Sequence, residues 1–225
     1  MPNSMKIPIV LRRERGSVLP LQDWLDELPR IVPDDAVLSF VGPDPLTVRW
    51  FGWLVKALPY KWEVTSALDW PGFTTLRANP GSAERCIGVG VWWVAPKHGG
   101  VASSRMFSRR IVALITAGFP IGRVFCTRLD DGAREGFQWH DALKSLTYEV
   151  AELPEWVVRM RQKGAFACDG AHSVIGPDLK VYPCVQAAIG GPLQKGAYGV
   201  RGKFRQVEVT KCRFTRCPHG YKEII

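Results

Sequence analysis

From Ile7 to Leu129 the chain repeats one pattern: a short apolar run, a turn signal, then a segment with apolar residues at helical spacing. Ile7-Pro-Ile-Val-Leu11 reads as a first buried strand. Pro20 then opens a helix whose Leu21, Trp24, Leu25 and Leu28 share one face. Ala36 to Val41 is a second strand, closed by Gly42-Pro-Asp-Pro45, and a second helical stripe carries Leu46, Trp50, Trp53, Leu54, Ala57 and Leu58. Trp62 to Leu68 and Cys86 to Val94 are further strand candidates, the first β-branched and the second almost wholly apolar. A helix over Ser104 to Ala117 stops at Gly118 and Pro120; a fifth strand follows over Gly122 to Leu129 and a last helix over Gly136 to Val150. Alternation of this kind predicts an α/β fold, a parallel sheet with right-handed crossovers.

In such sheets ligands sit at the carboxyl ends of the strands, which directs attention to the loops there. Those loops carry Arg12, Arg13 and Arg15 after the first strand, Asp44 after the second and Asp69 after the third. Lys97 and His98 follow the fourth, and Asp130 and Asp131 the fifth. Read as an enzyme, the arginines would hold an anionic small substrate, with Asp44, Asp69 or Asp130 as acid or base. Read blandly, these are the ordinary charges of surface loops. His98, His140, His172 and His219 are scattered, and no Ser or Cys nucleophile has a partner visible in the sequence. Trp92 and Trp93, like Trp50 and Trp53, read as core aromatics.

The last third differs in kind. The chain has 225 residues and a net charge of +9, and from Arg159 onward twelve Lys or Arg face four acids. Cys168, Cys184, Cys212 and Cys217 lie in the same stretch, whereas Cys86 and Cys126 stand in apolar runs and read as core thiols. Glycines at 190, 191, 196, 199 and 202 leave this part without a regular apolar period. A small segment with so thin a core needs a staple, and in a reducing compartment gathered thiols point to a metal before disulfides. The start Met-Pro-Asn-Ser-Met-Lys lacks the apolar run of a secretory signal, and no run is long enough for a membrane span, so a cytoplasmic protein is expected. Four thiolates suit zinc or an iron-sulfur cluster, and spacing does not separate them.

The stretch Cys168-Asp-Gly-Ala-His-Ser-Val-Ile-Gly-Pro-Asp-Leu-Lys-Val-Tyr-Pro-Cys184 resembles the opening of the SPASM or twitch domains that follow the barrel of many radical S-adenosylmethionine enzymes. In that family a Cys, a hairpin with a Pro-Asp-Gly turn and a Val-Tyr-Pro-Cys ending supply the first two ligands of a 4Fe-4S cluster. Here Leu179 replaces the turn glycine, at a position where Leu resists positive φ. The resemblance implies that Cys212 and Cys217 complete a single-cluster set. It further implies that residues 1–150 form a partial (β/α) barrel and residues 151–225 a small metal-stapled domain with a β-hairpin. Gly42-Pro-Asp-Pro-Leu46 stands where the family has Gly-Gly-Glu-Pro-Leu, which contacts the amino group of S-adenosylmethionine. The three cysteines of the family's CxxxCxxC loop are absent; Arg12-Arg-Glu-Arg-Gly-Ser17 stands there instead. The resemblance therefore implies a relative that has lost S-adenosylmethionine chemistry.

Arg201, Lys203, Arg205, Lys211, Arg213 and Arg216 surround the last two cysteines, interleaved with Tyr198, Phe204 and Phe214. Cations with aromatics among them predict an anionic macromolecular partner, nucleic acid first, with a partner protein as the alternative. A four-thiolate cluster or zinc carries about two negative charges, so metal binding leaves most of the excess in place. The competing readings are the barrel-mouth enzyme, an electron-transfer accessory and a zinc-stapled binding protein.

Overall fold

The computed structural model describes residues 5–13, 17–42, 45–66, 68, 70–94, 100–127, 166–167, 173–184, 187–188, 199–207 and 223–224. The alternation read from the sequence is present. Strand β1 (Lys6–Ile9) leads to helix α1 (Leu21–Ile31), β2 (Val37–Phe40), helix α2 (Phe51–Ala57) and β3 (Lys61–Ser66). Helix α3 (Trp70–Arg77) and a 3-10 stretch over Pro80–Arg85 precede β4 (Cys86–Val94), helix α4 (Gly100–Thr116) and β5 (Ile121–Thr127). The helix expected over Gly136 to Val150 lies outside the described residues, as do the side chains of Trp92 and Trp93.

Strands β1 to β5 are parallel and lie in their order along the chain. With no reversal of direction, right-handed crossovers must put every connecting helix on the same face. The core follows that rule: Trp24 and Leu28 of α1, Phe51 and Leu54 of α2, Phe73 and Leu76 of α3, and Ile111 and Leu114 of α4 join one cluster with Ile7, Leu38, Trp62 and Val89. A run of edge-on aromatic contacts, Phe40 to Phe51 to Trp62 to Phe119 with centroids 5.0, 5.6 and 6.4 Å apart, ties β2, α2, β3 and the segment before β5 together.

Two local readings change. The single helix expected from Leu46 to Leu58 is a 3-10 turn over Pro45–Thr47 and then α2, whose buried side is Phe51, Leu54 and Val55. Trp53 falls off that side and is 65% exposed, so it is not a core aromatic. Helix α3 (Trp70–Arg77) lies between two strand candidates where the sequence reading placed no element. Pro71 sits in the first turn, where its missing N–H has no helical partner to lose.

The hairpin of the cysteine-bearing segment, β7 (Val174–Ile175) with β8 (Val181–Tyr182), continues this same sheet. Ile9 of β1 pairs in parallel with Ile175, and Val10 N–H donates to the Ile175 carbonyl at 2.9 Å. The seven-stranded order is thus β5-β4-β3-β2-β1-β7-β8, after a short β6 (Phe166–Ala167) that pairs separately with β9 (Glu223–Ile224). The expected boundary at residue 150 lies outside the described residues, but the hairpin assigned beyond it is an edge of the first domain's sheet. No helix among the described residues is long and apolar enough to cross a membrane.

Candidate functional site

Because β7 runs parallel to β1, the hairpin turn projects at the carboxyl end of the sheet, beside the loop that carries the expected mouth arginines. The turn is a three-residue loop: Leu179 N–H donates to the Gly176 carbonyl at 2.9 Å, and Gly176 N–H to the Lys180 carbonyl at 2.8 Å. Its last residue must be left-handed, and Leu179 adopts φ 58° there. The Leu in place of glycine thus leaves the turn geometry intact and is strained instead.

Asp178 is the hub of the resulting cluster. Its Oδ2 accepts from the Tyr182 phenol at 2.8 Å, lies 3.2 Å from Lys180 Nζ and is 4.0 Å from an Arg13 guanidinium nitrogen. Tyr182 is buried, and its phenol is pushed up to about 12 by that burial, then by the hydrogen bond to Asp178 and its charge, against an opposing pull from Arg13. Arg12 reaches the loop after β2 and donates to Thr47 Oγ1 at 2.9 Å. Gly42, at φ 93°, turns the chain into that loop. Arg12 and Arg13 follow β1 at the carboxyl end of the sheet; Arg15, Asp44, Asp69 and Asp130 lie outside the described residues, as do Lys97, His98 and Asp131.

The basic segment is anchored to the hairpin. Val200 and Val181 exchange two backbone hydrogen bonds at 2.9 Å, Phe204 N–H donates to the Ile31 carbonyl at 2.7 Å, and Val207 N–H to Ser173 Oγ at 2.6 Å. Between these anchors Arg201, Lys203 and Arg205 are exposed. Phe204 is a correction: it packs against the main core, so it is an anchor of this strap rather than an aromatic presented among the cations. Lys211, Arg213 and Arg216 lie outside the described residues, with Tyr198 and Phe214.

Of the four expected metal ligands, Cys184 is described and Cys168, Cys212 and Cys217 are not. Cys184 follows the hairpin at the edge of a small apolar cluster with Val10, Val174, Tyr182 and Ala188. The Ala187 N–H donates to its sulfur at 3.4 Å, and the Ala188 N–H to its carbonyl at 3.2 Å. A backbone donor aimed at sulfur stabilises a thiolate and is the kind of contact that surrounds cluster ligands. Among the described residues no three Cys, His, Asp or Glu gather at one point.

The sequence did not reveal the polar face. Opposite the helices, Lys6 and Glu63 pair at 2.8 Å, and Ser39 donates to the other Glu63 oxygen at 2.9 Å. Lys6 and Glu63, with Thr65, Gly88 and Gly90, line a groove of about 330 Å³. Every second residue of a strand points to this face, so the signal was there as polar residues alternating with core residues along β2 and β3. Cys86 is a buried core thiol, as the sequence implied. Burial pushes it up to about 12, with a lowering backbone hydrogen bond at Gly88 and a raising contribution from the Glu63 charge.

The chain matches no protein-family model, no curated protein and no solved structure.

Proposed function

We propose that this protein is a catalytically degenerate relative of the radical S-adenosylmethionine enzymes. Its partial barrel and twitch-like cysteine segment would hold one 4Fe-4S cluster and serve as a platform for a polyanionic partner, with nucleic acid as the leading candidate. The observation that carries this reading is the β6–β9 ladder. Ala167, the residue before Cys168, pairs with Glu223, six residues after Cys217, so the ends of the four-cysteine segment are tied side by side. The hydrogen bond from Ala187 N–H to the Cys184 sulfur fits the donor set of a cluster site. Cys168, Cys184, Cys212 and Cys217 would hold the cluster, which supplies a fixed anionic staple and a one-electron centre when bound.

The sequential parallel strands, with the described helices α1 to α4 packed into one core cluster, support the partial-barrel reading. The basic strap supports the partner. Arg201, Lys203 and Arg205 are exposed while their backbone is held at Val200, Phe204 and Val207, so the charges are presented at low conformational cost. The mouth arginines favour the platform over an enzyme at the same place. Arg12 is engaged by Thr47 at 2.9 Å, and Arg13 faces the Asp178 carboxylate at 4.0 Å, so both already have a partner within the protein.

Anaerobic purification of the full chain with iron, sulfide and zinc analysis tests the metal. The reading requires about four irons and four sulfides per chain, lost in Cys184→Ser and kept in Cys86→Ser. One zinc without sulfide overturns it. For the partner, a labelled single-stranded oligonucleotide should bind with a steep inverse dependence on salt. Charge reversal at Lys203 and Arg205 should flatten that slope by about two charges' worth. Binding that is insensitive to salt refutes the platform.

A further inference from the structure

Helices α3 and α4 carry a second charged surface, several strands away from the strap in the order β5-β4-β3-β2-β1-β7-β8. From Trp70 to Leu129 the sequence holds eight Lys or Arg and a single acid, Glu84. The basic excess is therefore not confined to the last third of the chain. Trp70, the first residue of α3, stands at the carboxyl end of β3, where it is 60% exposed.

The ring of Trp70 is held from two sides. Phe73 packs against it at 5.8 Å between centroids, and the Arg110 guanidinium lies 5.5 Å from its centroid. Arg110 is fixed in turn by an Nη1 donation to the Leu68 carbonyl at 2.9 Å. Leu68 is fully buried at φ 50°, with its N–H donating to Ser66 Oγ at 2.9 Å. An indole so restrained loses little freedom when something stacks on its open side. Arg77, exposed and centred 6.0 Å from the Phe73 ring, adds a second cation beside it.

An exposed aromatic with basic neighbours could also enter an anionic lipid surface, but the exposed apolar side chains do not form one face. Met106 and Ile115 are both exposed and nine residues apart on α4, about two and a half turns, which places them on opposite sides. Trp53 is on a different helix. Lipid insertion needs a continuous apolar face, whereas base stacking needs one ring and nearby cations.

We propose that the α3–α4 surface at Trp70 is a stacking platform for an unpaired base of a single-stranded nucleic acid, with Arg77 and Arg110 as the cations for the adjoining phosphates. This shares with the proposed function only the class of partner, and requires neither the cluster nor the strap.

The test is fluorescence anisotropy of a labelled single-stranded oligonucleotide with the full-length protein as purified, compared with a duplex of equal length and with phosphatidylglycerol vesicles. Trp70→Ala should weaken single-strand binding by about tenfold or more, and Trp70→Phe should restore most of it. Arg77→Glu should weaken it and flatten its salt dependence. Thermal melting of each variant shows that the fold is kept, as the exposure of Trp70 and Arg77 leads one to expect. Single-strand affinity unchanged in a folded Trp70→Ala protein overturns the proposal. So does Trp70-dependent binding seen only with vesicles. If strap variants leave binding intact while Trp70→Ala abolishes it, the proposed strap function fails and this inference stands; the reverse result separates them in the other direction.

Discussion

The Tyr182 phenol donates to Asp178 Oδ2 at 2.8 Å from a ring lodged between Gly176 and Gly199. This contact joins the two ends of the hairpin and, through Arg13, links the hairpin to the loop after β1. A methyl group on Gly176 would lie 2.6 Å from Tyr182 Cδ2, and one on Gly199 2.5 Å from Lys180 Cβ and 2.7 Å from Tyr182 Cζ. Gly176→Ala and Gly199→Ala should each destabilise the protein by about 1–3 kcal/mol in urea unfolding. Because both displace the same ring, the double variant should cost less than the sum. Fully additive costs would mean that the ring is not the shared obstacle.

Tyr182→Phe removes the hydrogen bond and keeps the ring, so it should cost about 1 kcal/mol at neutral pH. It should also change the alkaline behaviour. The phenol is raised in the folded state from 10.0 to about 12, so the native protein holds this proton more tightly than the unfolded chain. The stability from this group is complete below pH 10 and is lost as pH rises toward about 12. The urea midpoint of the wild type should therefore fall more steeply than that of Tyr182→Phe across this window. Parallel curves would count against the assignment.

Cys86 has the same sign. Its thiol is raised from 9.0 to about 12, with burial the leading cause, so its contribution to stability fades as pH rises across that interval. At neutral pH it should react with a maleimide far more slowly than a free thiol in solution, as mass mapping of the labelled protein would show. Glu63→Gln removes only the smaller electrostatic cause and should speed labelling slightly. A large acceleration would show that charge rather than burial protects the thiol.

Leu179 is held at φ 58°, where an L side chain costs roughly 1–2 kcal/mol. Leu179→Gly relieves that strain while giving up some packing and adding chain entropy, so its net effect should lie within about 1 kcal/mol of wild type. Leu54→Ala, in the fully buried core, should cost about 2–5 kcal/mol. Equal losses at the two positions would refute the strain at Leu179.

The apolar period identified β1, α1, β2, β3, β4, α4 and β5 because it reports directly which side of an element meets the core. It misplaced Trp53 for the same reason in reverse, since the chain breaks from a 3-10 turn into α2 and the buried side shifts to Phe51 and Leu54. Phe204, which lies among cations in the sequence, packs against the core because its N–H is anchored to Ile31. Glu63 and Lys6 meet only because β1 and β3 lie on either side of β2 with their alternate residues on one face.

By itself the sequence determined the α/β class, the parallel crossovers and the buried status of Cys86, since these follow from local periodicity and apolar content. Only the tertiary structure decided that the late hairpin would extend the sheet at β1, and so place Asp178 beside Arg13. That pairing joins residues far apart in sequence, and no local period encodes it. It arises where the β1 edge and the short hairpin satisfy each other's backbone groups and cover Val10 and Val174 together.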